Sequence, residues 1–233
     1  MNENAATKET GLVSRVISIF WEPSKTFKAV SRKSNWWDII IPILLITITA
    51  WVTIPYITPI SIQDAKARIE KSERLTDAQK ENALESMGER STIMQYATTP
   101  ISLFIMVVII AMVMWLAGNF LLSGEQKFVP IFAMTSYVYL INILANLVKT
   151  PLMVAKNSTK VYTGLATLFP ESESFLFSLA KKFDIFAIWK VVLLGIGLGI
   201  LYKSKQSKSI TVVFIVWLTY AIIASLLSGL SPF

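Results

Sequence analysis

The chain has 233 residues, 54% of them hydrophobic and only 16% charged, where a soluble domain carries roughly one quarter charged residues; with a mean hydropathy of +0.57, lipid is the natural solvent for most of it. Histidine and cysteine are both absent, which excludes disulfides, thiolate chemistry, c-type haem attachment and metal sites of Cys/His type, so no cofactor is expected. The +7 formal charge comes from lysines and arginines placed beside apolar runs, an arrangement suited to anionic lipid and not to nucleic acid.

Residues 1–10 are polar and read as a mobile leader. From Gly11 the pattern changes: Leu12, Val13, Val16, Ile17 and Phe20 recur at helical spacing with Arg15 on the other side, which predicts a short amphipathic helix in the membrane interface. Pro23 ends it or begins the next turn, and Phe27 and Val30 follow among Lys25, Lys28, Arg32 and Lys33. Trp36 and Trp37 then stand at the edge of the first apolar run, and with Trp21 and the four cations they form a candidate lipid-interface set. Segment 1–37 is therefore read as a cytoplasmic N-terminal segment ahead of a membrane domain at 38–230.

The first span is predicted at 38–58, with Asp38 against the positive end of its helix dipole and Pro42 tolerated in its first turns. Pro55 and Pro59 are expected to kink or end it. No small-residue cleavage site follows, so the span is expected to remain as an anchor. In the charged excursion 59–99, Ile62, Ala65 and Ile69 share one helical face. Thr76 and Gln79 read there as a capping box opening a second helix that carries Ala83, Leu84 and Met87, which predicts a helical hairpin outside the bilayer.

Spans at 100–122 and 128–148 are joined by the five residues from Ser123 to Lys127, a link short enough to force antiparallel neighbours. A second extramembrane excursion, 149–183, is broken by Pro151, Gly164 and Pro170, and its stretch 161–169 is apolar enough to dip into the interface. Spans at 184–202 and 210–227 flank a turn carrying Lys203, Lys205 and Lys208. The fold class is thus an all-α, polytopic integral membrane bundle of five helices. Five crossings place both compact basic clusters on one side, which predicts a cytoplasmic N-terminus and an external C-terminus.

Catalytic groups are not apparent: there is no zinc-protease helix motif, no phosphate-binding glycine loop, no nucleophile elbow and no pair of carboxylates within a span. Lys190 is the charge lying well inside a predicted span, and snorkelling toward the near interface is favoured over a role in an ion path. Asn142 and Asn146, at i and i+4 and preceded by Ser136 and Tyr139, predict a polar face turned into the bundle, either lining a solute route or bonding between helices. Asn119 joins that candidate set or marks a helix end. Gly195 and Gly199 make a small-xxx-small face for close helix approach.

Three stretches carry a family resemblance. Trp21-Glu22-Pro23-Ser24-Lys25-Thr26-Phe27 with Trp36-Trp37, then Gly124 through Phe128 with Phe132, Ser136 and Tyr137, and finally Phe183 through Phe186 with Trp189, Leu193, Gly195 and Gly197, together resemble prokaryotic members of the Yip family, the Ypt/Rab-interacting membrane proteins. The resemblance implies a five-helix bundle in a prokaryotic cytoplasmic membrane with its N-terminus in the cytoplasm. Eukaryotic relatives are associated with vesicle traffic and prenylated small GTPases, but their Asp-Leu-Tyr-Gly-Pro motif is absent here, so GTPase binding is not carried over. The expected role is a non-enzymatic scaffold or adaptor that assists a membrane complex or transporter. Its expected partners are the bilayer and other membrane proteins or further copies of itself, and the alternative role is a small-solute or ion channel or transporter.

Overall fold

The computed structural model describes residues 11–72, 75–88, 92–172 and 174–228, without the side chains of 86–88 and 92–93. The polar leader 1–10 and the side chain of Met87 lie outside the described residues. Among the described residues the regular structure is helical, and one antiparallel bridge joins Gly164 to Asp184. Four helices are long and apolar enough to cross a membrane: Trp37–Lys71, Met94–Leu121, Phe128–Lys156 and Gln206–Ser228. The apolar helix Ile185–Leu201, at 17 residues, is shorter than these.

Two short helices open the fold, α1 (Leu12–Trp21) and α2 (Pro23–Arg32). Their apolar inner faces dock onto the bundle, where Ile19, Phe27 and Val30 are fully buried. This corrects one expectation: Arg15 points inward, only 8% exposed, while Val13, Ile17 and Trp21 are exposed at four-residue intervals. The physical reason is a carboxylate inside the bundle, which draws the guanidinium inward, as described below.

Helix α3 (Trp37–Lys71) runs through Pro42, Pro55 and Pro59, so of the two expectations for Pro55 and Pro59 the helix does not end at either. Proline removes one backbone donor, and packing against neighbours can hold such a helix together. Here the indole of Trp51 donates to the Tyr96 carbonyl at 3.0 Å, and Thr58 donates to the Gln95 side chain at 2.7 Å, holding the proline region against the next long helix. The predicted capping box is present at α4 (Asp77–Gly88): the Gln79 amide donates to Thr76 Oγ1 and the Thr76 amide to Gln79 Oε1.

Helix α5 (Thr92–Leu121) turns back through residues 122–127 into α6 (Phe128–Tyr139) as its antiparallel neighbour. The third apolar run, expected as a span at 128–148, is one candidate membrane helix over Phe128–Lys156 with a tighter turn at Leu140, whose amide bonds Tyr137 one residue closer than an α-helix requires. Thr135 and Ser136 bond back to the carbonyls of Ile131 and Phe132 just before that turn, a pattern that bends helices. Helix α7 (Ile141–Lys156) then continues through Pro151, well past the expected boundary, and stops at Asn157 in the left-handed region.

A 3-10 turn (Leu165–Leu168) and α8 (Phe175–Lys182) lead to α9 (Ile185–Leu201), and α10 (Gln206–Ser228) completes the described chain. Helices α6 and α9 pack on each other at the centre, with α3 and α5 on one side, α10 beside α9 and α2 beneath it. Apolar side chains left outside this core stand in rows, including Leu44, Ile48 and Val52 on α3 and Ile101, Ile105 and Ile109 on α5. Such rows exceed what a water-soluble monomer exposes and need hydrocarbon around them.

Candidate functional site

The most buried polar constellation among the described residues joins four helices. Asp38, fully buried in the first turn of α3, receives Arg15 Nη1 from α1 at 2.7 Å on Oδ1 and the Tyr137 hydroxyl from α6 at 2.8 Å on the same oxygen. Its Oδ2 accepts the Asn35 amide at 3.0 Å, and Arg15 also donates to the Lys33 carbonyl at 3.3 Å. Thr26 of α2 donates to the Arg15 carbonyl at 2.8 Å. The cluster therefore ties α1, α2, α3 and α6 together at one end of the bundle. Sequence reasoning missed it, although a lone arginine in one apolar helix and a lone aspartate at the start of the next run were a visible signal.

Lys190 of α9 turns toward α7. Its ammonium donates to Asn142 Oδ1 of α7 at 2.9 Å and lies 5.1 Å from the centre of the Tyr139 ring. A carbonyl and an aromatic face thus share the charge between α7 and α9. Asn146, one turn further along α7, is half-buried. The polar face thus gathers Asn142 and Lys190 directly.

Asn119 lies apart from them, at the opposite end of α6. Its Oδ1 accepts both the Gln126 amide at 3.0 Å and the Tyr202 hydroxyl at 2.9 Å, closing the α5–α6 turn against the end of α9. Asn119→Ala is expected to leave the Gln126 amide unmatched and the Tyr202 hydroxyl with only its longer bond to the Trp115 carbonyl at 3.3 Å, and to lower stability by about 1–3 kcal/mol. Thermal unfolding in detergent, with Asn119→Asp retaining the acceptor as comparison, checks this.

Asp184 caps α9, its Oδ1 accepting the amides of Phe186 and Ala187, while Lys149 of α7 pairs with its Oδ2 at 2.8 Å and Thr163 donates to the same oxygen. Beyond Asn157, the Asp64 carboxylate of α3 accepts from the Ser158 hydroxyl and from both the amide and hydroxyl of Thr159, which fastens the end of α7 to α3. The Glu171 carboxylate, hydrogen-bonded to Lys160 at 2.7 Å, raises that amine above the usual lysine range. Among the described residues, no group of three or more carboxylates stands together as a metal cage.

With this geometry in place, a comparison with family models finds the Yip1 domain over residues 17–228. The chain belongs to the Yip1 domain family. Neither the curated proteins nor the solved structures give a match. In this Yip1 domain the matched region holds Asp38 and Tyr137, while Arg15 lies two residues ahead of it.

The glycine face of the Yip1 domain packs inside the bundle. A side chain at Gly195 would stand 2.6 Å from the Ile210 Cα of α10, whereas one at Gly199 would meet Ser209 and Gln206 at 3.4 Å and 3.5 Å. Gly197 points the other way, and a side chain there would strike the Met134 sulfur and touch the Phe27 ring. Three helices therefore meet over one missing Cβ. The candidate lipid-interface residues lie outside: Trp21 is 85% exposed, and Lys25, Lys28, Arg32, Lys33, Trp36 and Trp37 are exposed around the same end.

Proposed function

We propose that this Yip1-family protein is a non-enzymatic, five-span membrane scaffold or adaptor whose N-terminal end faces the cytoplasm and whose surfaces engage lipid and other membrane proteins. The observation that carries the reading is the filled centre of the bundle, where Val107, Met134, Tyr137, Leu140 and Leu198 are all fully buried. Side chains there are committed to packing and not to lining a route. Helix α9 supplies the fifth span, with α2 packed beneath its far end. The exposed rim of Trp21, Trp36, Trp37, Lys25, Lys28, Arg32 and Lys33 suits an anionic cytoplasmic leaflet.

A catalytic role has little support, because a serine, threonine or lysine nucleophile would have no imidazole base. Crosslinking in native membranes followed by purification is expected to recover a second protein in fixed stoichiometry. Recovery of the chain alone, at every crosslinker concentration, would overturn the adaptor reading.

One observation favours the channel or transporter alternative: the Lys190 ammonium held inside the bundle by Asn142. Under that reading, ion flux through proteoliposomes changes when Asn142 and Asn146 are both replaced by leucine. Unchanged flux removes it.

A further inference from the structure

We propose that the 3-10 turn and α8 form a re-entrant segment lying within the leaflet opposite α1 and α2, with Leu165, Leu168, Phe169, Phe175 and Leu176 against lipid instead of water. The proposal holds whether the protein acts as a scaffold or as a conduit, because it rests on depth along the long apolar helices.

Helix α10 provides one ruler. Its start lies level with the end of α9, since only residues 202–205 separate them, and its 23 residues extend about 34 Å at 1.5 Å per residue. The segment leading into α9 docks on the flank of α10 and not beyond its tip. Phe183 meets Trp217 edge-on at 5.0 Å between ring centres, and Lys182 lies 5.7 Å from the Tyr220 ring. Past Tyr220 about 12 Å of α10 remains, carrying the exposed side chains of Ile222, Ile223, Leu226 and Leu227. If those residues are in hydrocarbon, α8 beside Trp217 and Tyr220 is at membrane depth as well.

The chain path agrees. Lys149 is level with Asp184 through their ion pair, yet α7 climbs about 10 Å further to Lys156. The chain reaches its outermost point where Ser158 and Thr159 meet Asp64 of α3, and then descends. It is level with Asp184 again at Gly164, where the Leu165 amide bonds the Phe183 carbonyl at 3.1 Å and the Ile185 amide bonds the Thr163 carbonyl at 3.2 Å. The short length of α9 has the same origin: it begins below the outer surface because the residues before it are already inside.

The segment is built to sit there. Ala166, Phe177, Ala180 and Tyr162 form a small core separate from that of the bundle, which turns the larger apolar side chains outward. Leu168 is 77% exposed and Leu176 64%. Irregular backbone survives at such depth only when its polar groups are matched. Here the amides of Leu165, Thr167, Phe169 and Phe177 all have acceptors within the segment or at its junction with α9. Glu171, between the 3-10 turn and α8, pairs with Lys160 beside the outermost point of the chain, which brings its charge to headgroup level, and the Lys181 ammonium lies 5.4 Å from the Phe177 ring. The lipid-facing flank of α10 runs directly into this patch, which is why bilayer, and not a partner protein, is the occupant assigned.

The natural absence of cysteine permits a clean test. Leu168→Cys and Leu176→Cys in the full-length chain are spin-labelled and reconstituted into vesicles of phosphatidylcholine and phosphatidylglycerol, alongside Ile223→Cys as a lipid reference and Lys66→Cys as a water reference. The expected result is that oxygen relaxes the labels at 168 and 176 more than a water-soluble nickel chelate does, following the Ile223 reference. Nickel-dominated relaxation at both sites, as at Lys66, overturns the proposal. Protection from both agents, with spin–spin broadening between copies, also overturns it in favour of a second chain covering the patch. Each labelled variant is compared with the parent by size exclusion, and the two independent sites keep the test decisive if one variant fails to fold.

Discussion

Asp38→Asn, with Arg15 left in place, is expected to destabilise the protein by about 3–5 kcal/mol, the range for removing one partner of a buried ion pair. Arg15 and Asp38 are both buried, so neither charge can recover water when the other is lost. The mutant leaves a guanidinium without its carboxylate beneath α1, and removes the acceptor of the Tyr137 hydroxyl from its ionised form. Arg15→Leu should cost a similar amount for the converse reason. The double variant Arg15→Leu/Asp38→Leu is expected to be much less damaged than the sum of the two, because it removes both desolvation penalties together. Unfolding by a denaturing detergent in mixed micelles measures all three variants, and additive losses would show that the pair is not coupled. The predicted structural consequence is local: α1 and α2 should loosen first, seen as faster proteolysis near Trp21, while α9 and α10 stay protected.

The second large effect concerns one methyl group. Gly195→Ala is expected to separate α9 from α10 and to lower stability by about 1–3 kcal/mol, since the added carbon falls 2.6 Å from a backbone atom of Ile210 that cannot rotate away. Gly199→Ala, four residues further along, meets its neighbours at ordinary contact distance and should be nearly neutral. Gly197→Ala should fall between them, because its obstacle is the flexible Met134 side chain. A thermal shift for Gly195→Ala no larger than that for Gly199→Ala would contradict the close approach of these helices. The contrast also separates packing from propensity, because alanine is the better helix former at all three positions.

These sites differ in how visible they were beforehand. The spacing of Gly195 and Gly199 announced a close helix contact, but not that Gly195 bears it almost alone or that Gly197 serves a different neighbour. Asn119 and Asn142 were recognisable as amides that need partners in lipid; their partners, Tyr202 and Lys190, lie 83 and 48 residues away. The Asn142 acceptor of Lys190 was not legible, because it sits on another helix. Arg15 was assigned to the wrong face for the same reason: the attraction of Asp38, 23 residues on, outweighs the local amphipathic pattern.

Hydropathy and period are properties of a window of residues, so the sequence by itself determined the long apolar helices, the tight α5–α6 turn, the capping box at Thr76 and the all-helical membrane architecture. Membership of the Yip1 family was legible in the same way, through scattered motifs in order along the chain. Only the tertiary structure decided that α3 passes through three prolines, that the third apolar run tightens at Leu140, that Arg15 and Asp38 meet, and that the chain after α7 folds back beside α10. Each of these depends on a donor, an acceptor or a packing surface brought from a distant element, and in a medium with little water to substitute for such partners, their arrival settles the local conformation.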